Sequence, residues 1–176
     1  MKKCDQDFTD DNLSAEAVQD FLGDDRPLAI GSDIVAVRRI ADLMARRGSR
    51  FIERCYTAAE IDYCRSKSNP AVHFAGRWAA KEAVYKALQL QWDRPFSWKE
   101  IEIAPAGAEE GSAGSSGPPQ VNLADKLRDS LPVAAGAGPG AKREPQPRIL
   151  VSISHCSDYA FATALAVYAE AGAAAL

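Results

Sequence analysis

The segment from Asn69 to Leu90 constrains this chain more than any other. Asn69-Pro70 starts a helix, because proline is pre-set for the first helical position. Ala71–Leu90 is then the longest helical pattern in the sequence, rich in alanine, the best helix former. This run also carries Arg77, Lys81, Glu82 and Lys86. Positions 78, 82 and 86 share one face, and so do 77 and 81. Taken alone, Glu82 and Lys86 are an exposed helix pair worth about 0.2–0.5 kcal/mol. Around Glu82, however, stand Trp78, Ala79, Ala80, Ala83 and Val84, which suggest a partly buried helix. A carboxylate there needs a partner, and a metal ion is one candidate.

The rest of the chain alternates helix and strand signals. Leu28–Ile34 reads as a strand, and Val35–Met44 as a helix with Val37, Ile40, Leu43 and Met44 at helical spacing. Phe51–Cys55 is a second short element. Thr57 with Glu60 forms a capping box opening Ala58–Ser66. Trp98–Ile103 has strand character, and Val121–Leu131 holds a short strand and a helix. Ile149–Ser154 and Tyr159–Val167 read as two strands around the turn His155–Asp158. Residues 1–28 form an acidic extension containing a short helix signal, Ala15–Leu22, capped by Ser14. The stretches near 104–119 and 132–147 are rich in Gly, Ala, Ser and Pro and read as low-complexity loops.

Three further places could carry chemistry. Asp33 follows the first strand-like run, with Gly31 and Ser32 giving the backbone freedom. It is either an N-cap of the next helix or a second carboxylate for a cation. Two carboxylates on separate elements suit magnesium, which takes one or two of them together with waters and phosphate oxygens. His155 is either a turn residue or a phosphate contact at a strand's mouth. His73 reads as an ordinary helix-start residue. The helix after Asp33 is basic, with Arg38, Arg39, Arg46, Arg47 and Arg50 in a chain of formal net charge -3. It is either a solvated face or a docking surface for an acidic partner.

Several function classes are disfavoured. The net negative charge and the lack of clustered aromatics argue against nucleic-acid binding. No apolar run reaches the roughly 20 residues that span a membrane. Four scattered cysteines and two histidines offer no zinc pattern and fit reduced thiols in a cytoplasmic protein.

Three blocks resemble the holo-acyl-carrier-protein synthase family of phosphopantetheinyl transferases. The first is Ile30-Gly31-Ser32-Asp33-Ile34-Val35 with Arg39-Ile40. The second begins at Phe51-Ile52-Glu53-Arg54 and runs into Phe74-Ala75-Gly76-Arg77-Trp78-Ala79-Ala80-Lys81-Glu82-Ala83-Val84-Tyr85-Lys86. The third is Val151-Ser152-Ile153-Ser154-His155 with Asp158-Tyr159-Ala160. The resemblance implies an α+β fold, a single small domain over residues 29–170 with a long central helix packed on an antiparallel sheet. It implies transfer of 4′-phosphopantetheine from coenzyme A to a serine of apo-acyl carrier protein, with release of adenosine 3′,5′-bisphosphate. By the same resemblance Asp33 and Glu82 hold magnesium, and Glu82 and Lys86 act in catalysis. Arg77, Lys81, Lys86 and His155 contact coenzyme A, the arginine helix docks the carrier protein, and the assembly is a homotrimer. The proton of the attacking serine goes to Glu82 or to a metal-bound water.

One block departs from the family pattern. After the long helix the family usually has a Gly-Thr-Gly loop, whereas this chain has Gln89-Leu90-Gln91-Trp92-Asp93-Arg94-Pro95. That departure motivates a competing reading, a coenzyme A or carrier-protein binder that keeps the fold without turnover.

Overall fold

A computed structural model describes residues 28–90, 95–105, 118–131 and 147–168. The sequence readings for the helix Ala15–Leu22, for residues 91–94, and for most of the loops near 104–119 and 132–147 fall outside these residues. In chain order the elements are β1 (Leu28–Ala36), α1 (Val37–Arg47), α2 (Ser49–Cys55), α3 (Ala58–Arg65) and α4 (Pro70–Ala87). A single turn of 3-10 helix follows (Trp98–Glu100). Then come β2 (Ile101–Ala104), β3 (Gln120–Leu123), α5 (Asp125–Ser130), β4 (Arg148–His155) and β5 (Tyr159–Val167).

Two antiparallel sheets result. One has strand order β1-β5-β4, and the other pairs β2 with β3. β1 runs two residues beyond the expected Ile34, because its pairing with β5 continues through Ile34–Phe161 and Val35–Ala160 to Ala36–Tyr159. The first helix therefore starts at Val37, whose backbone N–H donates to Asp158 O at 2.8 Å. Likewise, the expected strand at Trp98 begins only at Ile101, because Ser97 and Glu100 close a capping box around the 3-10 turn.

The core lies where α4 crosses the three-stranded sheet. Strand side chains alternate, so one face of β5 presents Ala160, Ala162, Ala164 and Ala166, all fully buried. Against them α4 sets Ala75, Ala79, Ala80, Ala83 and Ala87, also fully buried. Alanine on alanine lets helix and sheet backbones approach closely. The nearest approach is at Gly31 of β1, where a Cβ would overlap the Ala83 carbonyl oxygen and lie 2.5 Å from the Ala87 nitrogen. Gly31 thus serves contact, and its role is not the backbone freedom expected from sequence.

α4 ends at Ala87, three residues before the expected Leu90, in a Schellman closure. Gln89 N–H donates to Lys86 O at 3.0 Å and Leu90 N–H to Tyr85 O at 3.3 Å. Gln89 takes φ 51°, the left-handed conformation that glycine adopts at no steric cost. This is the position where the resemblance expects glycine.

Candidate active site

β1 alternates, with Gly31, Asp33 and Val35 turned toward α4 and Ile30, Ser32 and Ile34 turned away. Asp33 therefore sits inside a strand, opposite Ala162 of β5. It is not a helix cap. The contact at Gly31 brings Lys86 of α4 within reach, and its Nζ donates to Asp33 Oδ1 at 2.9 Å and to Ser32 O at 2.8 Å. One turn earlier on the same helix, Glu82 lies near enough to the Asp33 carboxyl, Lys86 and Trp78 for all three to act on its charge. Burial raises the Glu82 carboxyl above the usual carboxylate range, and Asp33 raises it further. Lys86 and Trp78 oppose that rise.

The two carboxyl groups come together from separate elements, Asp33 from β1 and Glu82 from α4. Their oxygens are hard donors, suited to a small divalent ion. Among the described residues no third His, Cys, Asp or Glu joins them. A two-carboxylate set fits an ion that completes its shell with water and phosphate oxygens, and does not fit a closed structural site.

A second cluster lies toward the start of α4. The Arg77 side chain is buried, its guanidinium 3.7 Å from the centroid of the Tyr63 ring. Its Nε has no hydrogen-bond partner, and among the described residues Arg77 forms no ion pair with a carboxylate. A buried cation without a counter-charge is a prepared anion site. His155, the last residue of β4, has its ring 5.4 Å from that of His73, which lies one turn before Arg77 on α4. Cys64 beside Arg77 is pushed up to about 12 by burial, so it is a packed thiol and no nucleophile.

Lys81 differs in its surroundings. The resemblance implies that it contacts coenzyme A together with Arg77; in this structure its side chain is fully buried. Its Nζ lies 2.8 Å from Glu60 Oε2 and donates to the carbonyls of Trp98 and Ile101. Glu60 in turn accepts from the backbone N–H groups of Thr57 and Ile103. Residue 81 points to the side of α4 covered by α3 and β2, so the ammonium ties those elements together. The capping box correctly located Glu60, and the buried lysine is a further partner that it did not reveal.

The arginines of α1 are exposed. Arg38, Arg39 and Arg46, with Ala36, Asp42 and Leu43, line a groove of about 440 Å³, while Ile40 packs inward. Arg47 and Arg50 are exposed outside that lining. The groove starts at Ala36, three residues beyond Asp33 in the chain.

This arrangement has relatives. Residues 29–134 match the 4′-phosphopantetheinyl transferase superfamily. The chain belongs to that superfamily. A holo-[acyl-carrier-protein] synthase from Protochlamydia amoebophila is 36% identical over 143 residues, covering 81% of this chain and 98% of that protein. Among solved structures, an ACPS–CoA complex from Chronobacterium ammoniagenes superposes with a TM-score of 0.60 at 28% identity, over 82% of this chain and all but 1% of the other (99%). The Helicobacter pylori holo-[acyl-carrier-protein] synthase in complex with coenzyme A gives 0.57 at 28% identity, over 78% and 98%. Superfamily membership accounts for the α+β fold.

Proposed function

We propose that this chain transfers 4′-phosphopantetheine from coenzyme A to a serine of apo-acyl carrier protein, in a reaction dependent on magnesium. The observation that carries this reading is the set Asp33, Glu82 and Lys86 at the β1–α4 crossing, on the same helix as the unpaired Arg77. In the transfer, the serine oxygen forms a bond to the β-phosphorus of coenzyme A. The bond to the departing adenosine 3′,5′-bisphosphate breaks, and the serine proton is released to a base. Such transfer depends on positioning and on neutralising phosphate charge.

Each residue has a role in this reading. Asp33 and Glu82 would hold magnesium, which when bound neutralises charge on the diphosphate oxygens. Lys86 orients Asp33 and presents its half-exposed ammonium to the same oxygens. Arg77 and His155 receive phosphate groups of the nucleotide end. Glu82, raised by burial and by Asp33, can hold a proton inside the site. The arginine groove of α1 receives the acidic carrier protein and brings its serine toward Asp33.

The outer face of the β1-β5-β4 sheet supports self-association. It exposes Ile30 (70%) and Ile34 (63%), with Leu150, Tyr159 and Phe161 also exposed. We read this apolar face as a subunit contact in a homotrimer of about 57 kDa, three chains of 18.9 kDa. We place the protein in the cytoplasm. Cys55, Cys64 and Cys156 are free thiols, and among the described residues no helix is long and apolar enough to cross a membrane. Residues 29–170 are the proposed catalytic domain, preceded by the acidic extension.

The test is the mass of a purified apo-acyl carrier protein incubated with coenzyme A, with and without magnesium. Addition of one phosphopantetheine only when magnesium is present supports the reading. Binding of coenzyme A without any mass change would favour the non-enzymatic alternative.

A further inference from the structure

His73 has no role in the reading above, yet it is held as firmly as the residues that do. Gly76 lies on the face of α4 toward β4, and a Cβ there would come within 3.1 Å of the Ile153 side chain. That close approach brings the end of β4 alongside the first turns of α4. The His155 ring then meets the His73 ring edge to face, at 5.4 Å between centroids and 77° between planes. On its other side His73 meets Tyr63 at 6.0 Å and 80°. His73 thus lies between two rings in a partly buried setting.

The charges around it share one sign. His73 is faced by Tyr63 of α3 and by Lys67 just after that helix, by Arg77 of its own helix, and by His155 of β4. Lys67 lies 4.3 Å from the Tyr63 ring centroid, Arg77 3.7 Å. None of the ion pairs among the described residues reaches Lys67, His73, Arg77 or His155. With no anion present, burial first, then His155, Arg77 and Lys67, hold the His73 imidazole below its ordinary range.

We infer that His73 is part of the anion site formed by Arg77 and His155, and that it becomes protonated when a phosphate-bearing ligand binds there. The inference rests on the proposed binding of the nucleotide end of coenzyme A at Arg77. The reason is linkage. A positive imidazole beside the Arg77 and Lys67 charges is unfavourable until a phosphate dianion supplies counter-charge, so ligand and proton bind together. Affinity for the phosphate end then falls as pH rises through the histidine range, and carrier-protein docking at the α1 groove does not share that dependence.

The test uses the full chain and adenosine 3′,5′-bisphosphate as probe. Calorimetric titration at pH 7 in two buffers of different ionisation enthalpy gives the protons taken up per ligand bound. The His73→Phe variant keeps a ring between Tyr63 and His155, and its melting temperature at pH 8 checks that the fold is intact. We expect uptake in the parent protein and a clearly smaller uptake in His73→Phe. We also expect the parent's affinity to lose about tenfold per pH unit more than the variant's over the range where His73 titrates. Equal uptake in the two folded proteins overturns the inference while leaving the Arg77 site standing. No binding of the probe at any pH overturns the Arg77 site itself, and the inference with it. If the variant does not fold, NMR titration of the parent decides, since the chain has only two histidines. The His73 midpoint must then move upward when the probe is added, and an unmoved midpoint overturns the inference.

Discussion

Asp33 on β1 and Lys86 on α4 meet at 2.9 Å because Gly31, two residues before Asp33, has no side chain. A Cβ at 31 would strike the Ala83 carbonyl, which belongs to rigid helix backbone. The replacement Gly31→Ala is therefore expected to push β1 off the helix. It should cost about 1–3 kcal/mol of stability, as overpacking does. It should also depress transfer more than the lost stability explains, because Asp33 moves with the strand. A urea midpoint and a mass-detected transfer rate on the same preparation separate the two effects. A variant with parental values in both would refute the contact.

Asp33→Asn and Glu82→Gln each remove one of the two carboxylates proposed for magnesium. Each is expected to lower transfer by at least about 100-fold, and the double variant should be little worse than either single one, since both ligands position one ion. Magnesium should raise the melting temperature of the parent protein and not that of either variant. A magnesium-dependent shift that survives in both would place the ion elsewhere.

The buried pair Lys81–Glu60 leads to a different expectation for Lys81→Met. Glu60 would be left buried and uncompensated, at a cost of about 3–5 kcal/mol. The KM for coenzyme A should hardly change in whatever fraction stays folded. If Lys81 touched the ligand, the KM would rise with little loss of stability. Denaturation curves and steady-state kinetics at low temperature distinguish the outcomes.

Gln89 ends α4 in the left-handed region. Gln89→Gly removes the Cβ penalty at that position and is expected to stabilise the protein by about 0.5–1 kcal/mol, after the extra freedom of glycine in the unfolded chain is counted. Chemical denaturation measures it. A destabilised variant would mean that the Gln89 side chain itself holds the helix end.

Reversal of the groove charge tests the docking surface. Arg39→Glu should raise the KM for the carrier protein several-fold and flatten its salt dependence, leaving the KM for coenzyme A unchanged. Arg50→Glu, outside the groove lining, should do much less. Kinetics at two ionic strengths check both, and equal effects of the two reversals would dissolve the groove into a general basic face.

Sequence alone determined the features that depend on near neighbours. The 18 residues of α4 follow from alanine content and Pro70, the start of α3 from Thr57 and Glu60, and β5 from its alternating pattern. Asp33, Glu82 and the arginines of α1 were legible as charged groups at positions where chemistry could occur, and the family motif linked them. Which way each charge points was decided only by tertiary structure. Lys81 and Lys86 are five residues apart on one helix, yet the first is sealed against Glu60 and the second faces Asp33. Helical periodicity separates the two faces but does not say which will be covered by α3 and β2. Gly31 and Gly76 look like ordinary glycines in sequence, because the backbone and side chain they admit lie more than 50 residues away in the chain. For the same reason the pairing of His73 with His155 has no local signature, since it exists only once β4 has been laid along α4.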